Sequence, residues 1–276
     1  MLSREEREKI CYLEIGSLGS GIRKSWNWSS DMIHFGEQNY DEEHTVYFKN
    51  KLALKIDNDG SGDRRFSALG IEYFFNLEEV YVKSYEQVSV SFQKNKKLRK
   101  IWVRCSEADQ KNYNDVCKEF PISHLTYMHL ENIDVKEIKP KKIPNLKVLH
   151  IVLPNGSGRR LSSLDLLENK KLKVLELGNI LPPALDLRNN KKLVSVKVYS
   201  GEKKFGKTHC FYKVPGDQKC RIRLAKKNNI QIFHYFTSDG KIDVSGADKL
   251  EEFYTNRSIR AKFKSSWLRK SLTYFK

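Results

Sequence analysis

Long apolar runs are missing from this 276-residue chain: nothing in it approaches the roughly 20 consecutive apolar residues of a membrane-spanning helix. The opening MLSREEREKICYLEIGS also lacks the apolar stretch of a signal peptide, so the expectation is a cytoplasmic protein with no membrane insertion. Cysteine is scarce as well. Cys11, Cys105, Cys117, Cys210 and Cys220 are odd in number and contain no CxxC pair, which excludes the dense disulfide framework of a small secreted scaffold. No GxSxG or HExxH signature occurs, so neither the common serine-hydrolase elbow nor the zinc-protease helix is present.

What the chain has in excess is positive charge. Lysine and arginine number 51 against 34 aspartates and glutamates, for a formal charge of +17. Six basic residues meet nine acidic ones in residues 1–50, whereas eighteen meet seven in residues 201–276, giving an acidic head and a basic tail. Hydrophobic residues make up 39% of the chain and the mean hydropathy is −0.62. That is low for a compact globule and ordinary for a thin solenoid, which exposes much of its surface.

Self-similarity decides the fold class. LSSLDLLENKKLKVLELGNI (161–180) is followed by LPPALDLRNNKKLVSVKVYS (181–200), each a short apolar alternation, an Asn, two lysines and then Leu-x-x-apolar-x-apolar. With that last Leu as position 1, copies start at Leu77, Leu98, Leu125, Leu146, Leu172, Leu193, Ile230 and Leu250, at intervals of 21, 27, 21, 26, 21, 37 and 20 residues. A second alternation ends six residues before position 1 at Ile71, Phe92, Leu166, Leu187, Leu224 and Val244. Two alternations in so short a repeat leave no room for a long helix, so each turn is predicted to hold two short strands.

LDLLENKKLKVLEL, LDLRNNKKLVSVKV and IDVSGADKLEEFYT resemble the 21-residue leucine-rich repeats common in bacteria, over about residues 66–256 and most strongly at 161–198. The resemblance implies an α/β, strand-dominated, right-handed solenoid with a concave parallel β-sheet, short convex strands and few helices. Stacking is the physical reason: one repeat cannot bury its leucines, whereas strands about 4.8 Å apart pair their amides and build a continuous apolar column. Asn95, Asn169 and Asn190 fall at matching turn positions, where a buried amide satisfies neighbouring backbone groups. The pattern departs from the family at Pro140 to Pro144 and in an irregular insertion at 199–221. Terminal rungs need covers. Residues 1–65, with a helix near Arg4 to Tyr12, are read as an N-terminal cap, and residues 257–276 as a C-terminal cap or basic tail.

Strand alternation sends the third and fifth positions of each copy outward. The fifth position reads Tyr81, Trp102, His129, His150, Glu176, Lys197, His234 and Tyr254, and the third position adds Tyr127. Aromatic side chains with a polar tip anchor interfaces, although Tyr and Trp also suit strands as such. This row is the candidate binding face for a protein partner. A flat ladder points His129, His150 and Glu176 in parallel instead of converging them, so no metal is expected there, and a histidine-dependent pH response is the more natural outcome.

Several other features of the chain also have plain structural readings. GSG precedes a basic pair at Gly19 to Lys24, Gly60 to Arg65 and Gly156 to Arg160. Freed amides beside Arg159 and Arg160 suit a phosphate, and flexible turns with solvated arginines explain the same residues. Asp57 to Asp63 begins like a calcium loop, but its twelfth place is Ala68, where a bidentate Glu is needed. His209, Cys210, Cys220 and His234 have no zinc spacing. Basic runs containing Lys94, Lys96 and Lys97, and Arg221 and Arg223, raise nucleic acid or another polyanion as the alternative partner, or serve only as a solvated rim. The sequence therefore reads as a recognition scaffold with no enzyme signature and no cofactor.

Overall fold

In the computed structural model of the protein the described residues are 4–16, 43–48, 51–57, 74–84, 94–105, 124–131, 140, 143–153, 161–205, 210–213, 219–237, 240–255 and 259–264. The position-1 residues expected to form a spine are all buried: Leu77, Leu98, Leu125, Leu146 and Leu172 at 0% exposure, Leu193 and Ile230 at 1%, Leu250 at 6%. Six of the eight, Leu77 among them, are fixed by a short turn. Leu98 N–H donates to Asn95 O, Leu146 to Ile143 O, Leu172 to Asn169 O, Leu193 to Asn190 O and Leu250 to Ala247 O, at 3.0–3.1 Å.

The chain divides into two units, Met1–Leu125 and Thr126–Lys276. The first begins with α1 (Arg4–Lys9) and continues with β1 (Ile10–Gly16), β2 (Glu43–Phe48), β3 (Lys51–Asp57), β4 (Glu79–Ser84) and β5 (Lys100–Cys105). Their order is β5-β4-β1-β3-β2; all neighbours are parallel except β2, which runs antiparallel to β3. The helix is shorter than expected. The alternating, strand-forming ICYLEI pairs with β4, Tyr12 opposite Glu79 and Ile15 opposite Val82, and the ladder claims residues that local helix propensity would have kept. β1, β3 and β2 thus extend the sheet that β4 and β5 begin.

The second unit contains β6 (Tyr127–Glu131), β7 (Val148–Val152), β8 (Val174–Gly178), β9 (Ala184–Leu187), β10 (Ser195–Tyr199), β11 (Glu202–Phe205), β12 (Cys210–Lys213), β13 (Arg221–Leu224), β14 (Ile232–Phe236), β15 (Gly240–Asp243), β16 (Glu252–Thr255) and β17 (Ile259–Lys262). Its long sheet is parallel throughout, in the order β16-β14-β10-β8-β7-β6. Positions 4 and 6 point to the core: Met128, Leu130, Leu149, Ile151, Leu175, Leu177, Val196, Val198, Phe233 and Tyr235 are at most 1% exposed. Each such side chain contributes roughly 1.5–3 kcal/mol relative to exposure.

The second alternation forms the short strands. β9 pairs with β13 and β15 with β17, both in parallel, while Leu166 ends an extended stretch outside any strand. Ile71 and Phe92 lie outside the described residues. The strand-dominated architecture with a long parallel sheet that the resemblance implies is present, with one 6-residue helix among the described residues. The asparagines join the rungs as their spacing predicts: Asn95 Nδ2 donates to Phe74 O, Asn169 Nδ2 to Pro140 O and Ile143 O, and Asn190 Nδ2 to Leu166 O and Asn169 O, at 2.7–3.0 Å. Pro140 lies inside this scheme, because its carbonyl accepts from Asn169 and from Ile143 N–H. The insertion is the irregular part, an antiparallel β11-β12 ribbon.

Candidate recognition face

The register aligns the fifth-position residues rung by rung. His129, His150, Glu176, Lys197, His234 and Tyr254 follow one another as pairing partners on β6, β7, β8, β10, β14 and β16. Tyr127, Val148, Val174, Ser195, Ile232 and Glu252 form the adjoining third-position row. In the first unit Tyr81 pairs with Trp102 and Glu79 with Lys100, and Lys100 Nζ lies 2.8 Å from Glu79 Oε1. Trp102 is 7% exposed between fully buried Ile101 and Val103, so it offers little surface for an anchor.

Stacking at rung spacing ties the row together. The His129 and His150 rings lie 5.3 Å apart at 24°, and Tyr127 stacks on His150 at 6.1 Å. His150 Nδ1 is 2.8 Å from Glu176 Oε2, and Tyr199 donates its hydroxyl to Glu176 Oε1 at 2.9 Å. Burial alone would raise the Glu176 pKa, but the hydrogen bond and charge of His150, the Tyr199 hydroxyl and nearby Lys197 bring it down to about 2. An ionised Glu176 only accepts. The His150 proton on this side therefore sits on Nδ1, which leaves Nε2 as an acceptor when the ring is neutral.

A second pair lies further along. His234 Nε2 is 2.5 Å from Glu252 Oε1, with the Tyr254 ring edge-on at 4.7 Å. Burial lowers the His234 pKa and Lys197 adds to that, while Glu252 and Glu176 oppose it. Tyr127 is raised by burial and by the Glu176 charge, and Tyr254 by burial and Glu252. His129 Nε2 lies 3.4 Å from Glu131 Oε2.

Neither a protein-family model nor a curated protein matches the chain. Among solved structures it is similar to the functional domain of InlJ from Listeria monocytogenes, described as including a cysteine ladder, at 17% identity and a TM-score of 0.45. The likeness covers 72% of this chain and 43% of that one, so the chain spans less than half of that structure's length.

The remaining candidates are scattered. Lys94, Lys96 and Lys97 are exposed at the turn before β5, where Lys97 Nζ donates to Asn76 Oδ1. Arg221 and Arg223 are exposed on β13, opposite Ala184 and Asp186 of β9. Arg159, Arg160, the GSG segments and His209 lie outside the described residues, as do the side chains of Tyr81 and Cys210. Cys220 is a free, buried thiol whose pKa burial pushes up to about 12, which makes it unreactive. Among the described residues no group of three His, Cys, Asp or Glu is placed to hold a metal ion, and no helix is long and apolar enough to cross a membrane.

Tyr199 was missed in the sequence. It occupies position 7, one step beyond Leu-x-x-apolar-x-apolar, and its register partner is Gly178. A Cβ on Gly178 would lie 2.7 Å from the Tyr199 ring, so the glycine is what lets the ring lie across β8 to reach Glu176. A glycine opposite a tyrosine was the available signal.

Proposed function

We propose that the chain is a non-enzymatic recognition scaffold that holds a protein partner on the outward face of its long sheet, centred on Tyr127, His129, His150 and Glu176 and continuing through Lys197, His234 and Tyr254. The observation that carries this reading is the in-register row of half-buried polar and aromatic tips, already tied to one another before a partner arrives. Side chains ordered in advance lose little entropy on binding, and Tyr and His supply an apolar body with a polar end. The net charge of +17 favours an acidic partner through long-range attraction.

A His–Glu pair also orients imidazoles in catalysis. The contacts of His150, however, are Glu176 and the rings of His129 and Tyr127, with no nucleophile hydrogen-bonded to it among the described residues. The test is capture of a partner by the full chain and by Tyr127→Ala/His150→Ala and His234→Ala/Tyr254→Ala variants with native-like melting. Loss of the same partner in both variants supports the face. Capture unchanged in both removes it.

A further inference from the structure

The short-strand side of the second unit carries a different kind of surface. An open groove of about 880 Å³ runs over β13, β15 and β17, and among the described residues six basic side chains line it, Arg188, Arg223, Lys226, Lys241, Arg260 and Lys262, against one carboxylate, that of Asp243. Two of the six are engaged: Arg188 bridges to Asp186 and Lys262 Nζ lies 3.1 Å from Asp243 Oδ2. Lys226, Lys241 and Arg260 are exposed and form no salt bridge among the described residues, and Arg223, also exposed, stands opposite Asp186 and feels its charge without closing a salt bridge. Lys241 and Arg260 are direct register partners, which places like charges side by side, an unfavourable arrangement unless an anion lies between them. The backbone beneath is closely packed, since a Cβ at Gly246 would meet the Lys226 carbonyl at 2.0 Å.

We propose that this groove binds the phosphate backbone of a nucleic-acid duplex without reading its bases. Charge density selects the ligand. Along its axis a duplex carries a charge about every 1.7 Å with both strands counted, whereas an extended peptide, even if every residue is acidic, carries one only about every 3.3 Å of its length. Cations gathered from neighbouring short strands and the turn after β13 favour the denser polyanion. Among the described residues no aromatic side chain lines the groove, so they offer no platform for stacking unpaired bases, and the arginine forks suit phosphate oxygens. This site lies on other strands than the recognition face and does not depend on that reading.

The test is fluorescence polarisation of the full chain with a duplex of arbitrary sequence over about 50–200 mM salt. The groove variant is Arg223→Gln/Lys226→Gln/Lys241→Gln/Arg260→Gln. The control, Lys147→Gln/Lys173→Gln/Lys191→Gln/Lys192→Gln, removes the same charge from exposed sites elsewhere. A charge-keeping Arg223→Lys/Arg260→Lys variant guards against misfolding. We expect the groove variant to bind at least ~10-fold more weakly than the control and its salt slope to fall by about 3. The charge-keeping variant should retain the parent's salt slope and bind more tightly than the groove variant, and inorganic polyphosphate should compete better than polyglutamate. Absent duplex binding at low salt, equal losses in groove and control variants, or polyglutamate competing as well as polyphosphate each overturns the proposal.

Discussion

On the long-sheet face of residues 126–276 the outward side chains of neighbouring rungs lean on one another, whereas on the short-strand side they stand in solvent. His150 and Glu176 keep 20% and 22% of their side-chain surface, against 73% and 54% for Lys262 and Asp243. Both faces use the same alternation, so pattern alone does not separate them. Strand partnership does: β7, β8, β10 and β14 each have a neighbour on either side, and stacked rings and carboxylates shield each other there. β9, β13, β15 and β17 pair only in twos, and their polar groups settle for local bonds such as Asp186 to Arg188 N–H.

Two glycines sharpen the contrast. A Cβ at Gly246 would meet a backbone carbonyl at 2.0 Å, and one at Gly178 would meet only the far end of the Tyr199 side chain, at 2.7 Å. Backbone cannot step aside and a ring can. We expect Gly246→Ala to cost about 3 kcal/mol in denaturant unfolding. The comparison breaks if Gly178→Ala proves the more destabilising of the two.

Acid should act next, and mainly through the long-sheet face. The Glu176 pKa is depressed from 4.5 to about 2, so its contribution is present above the unfolded value and is lost as pH falls through the folded one. The window is therefore pH 4.5 down to about 2, and roughly 2 kcal/mol is at stake. His234 acts in the same direction from higher pH: its folded pKa lies below 6.5, so the unfolded chain takes the proton first. Melting curves of the parent and Glu176→Gln decide this. A variant with the same acid sensitivity between pH 4.5 and 2 sinks the assignment to Glu176.

Smaller still is the Tyr199 hydroxyl. Removing it in Tyr199→Phe should cost about 1 kcal/mol and raise the Glu176 pKa, since that hydroxyl is one of the groups holding it down. Carboxyl titration by NMR reads the shift directly. An unmoved Glu176 means that the tyrosine contributes packing alone.

The spine and the face were legible for one reason: position 1 is always a large aliphatic residue, which locks a strict period-2 register, and a one-residue slip would have turned every side chain over. Thus His129, His150, Glu176, Lys197, His234 and Tyr254 could be aligned from spacing alone. Contacts between rungs were not legible. The approach of Tyr199 to Glu176 depends on a side chain crossing its neighbour strand, and the basic groove gathers Arg188, Arg223, Lys241 and Arg260 from 73 residues of chain. The burial of Trp102 and the early end of α1 were also hidden, because ladder pairing overrode what each residue prefers locally.

The smallest effect tests whether charge matters to stability on the short-strand side. Lys262 and Asp243 form an ion pair in which both partners are more than half exposed, and water screens such a pair almost completely. Lys262→Ala should therefore leave the melting temperature unchanged within error. Asp243→Ala should not, because Asp243 Oδ1 also accepts from Ser245 N–H at 3.0 Å and from the Ser245 hydroxyl, closing the turn that leads to Ala247 and Leu250. Loss of that turn bond costs about 0.5–1 kcal/mol. If the two substitutions were equally costly, the ion pair itself would be stabilising, and the short-strand side would resemble the long-sheet face more closely than its exposure implies.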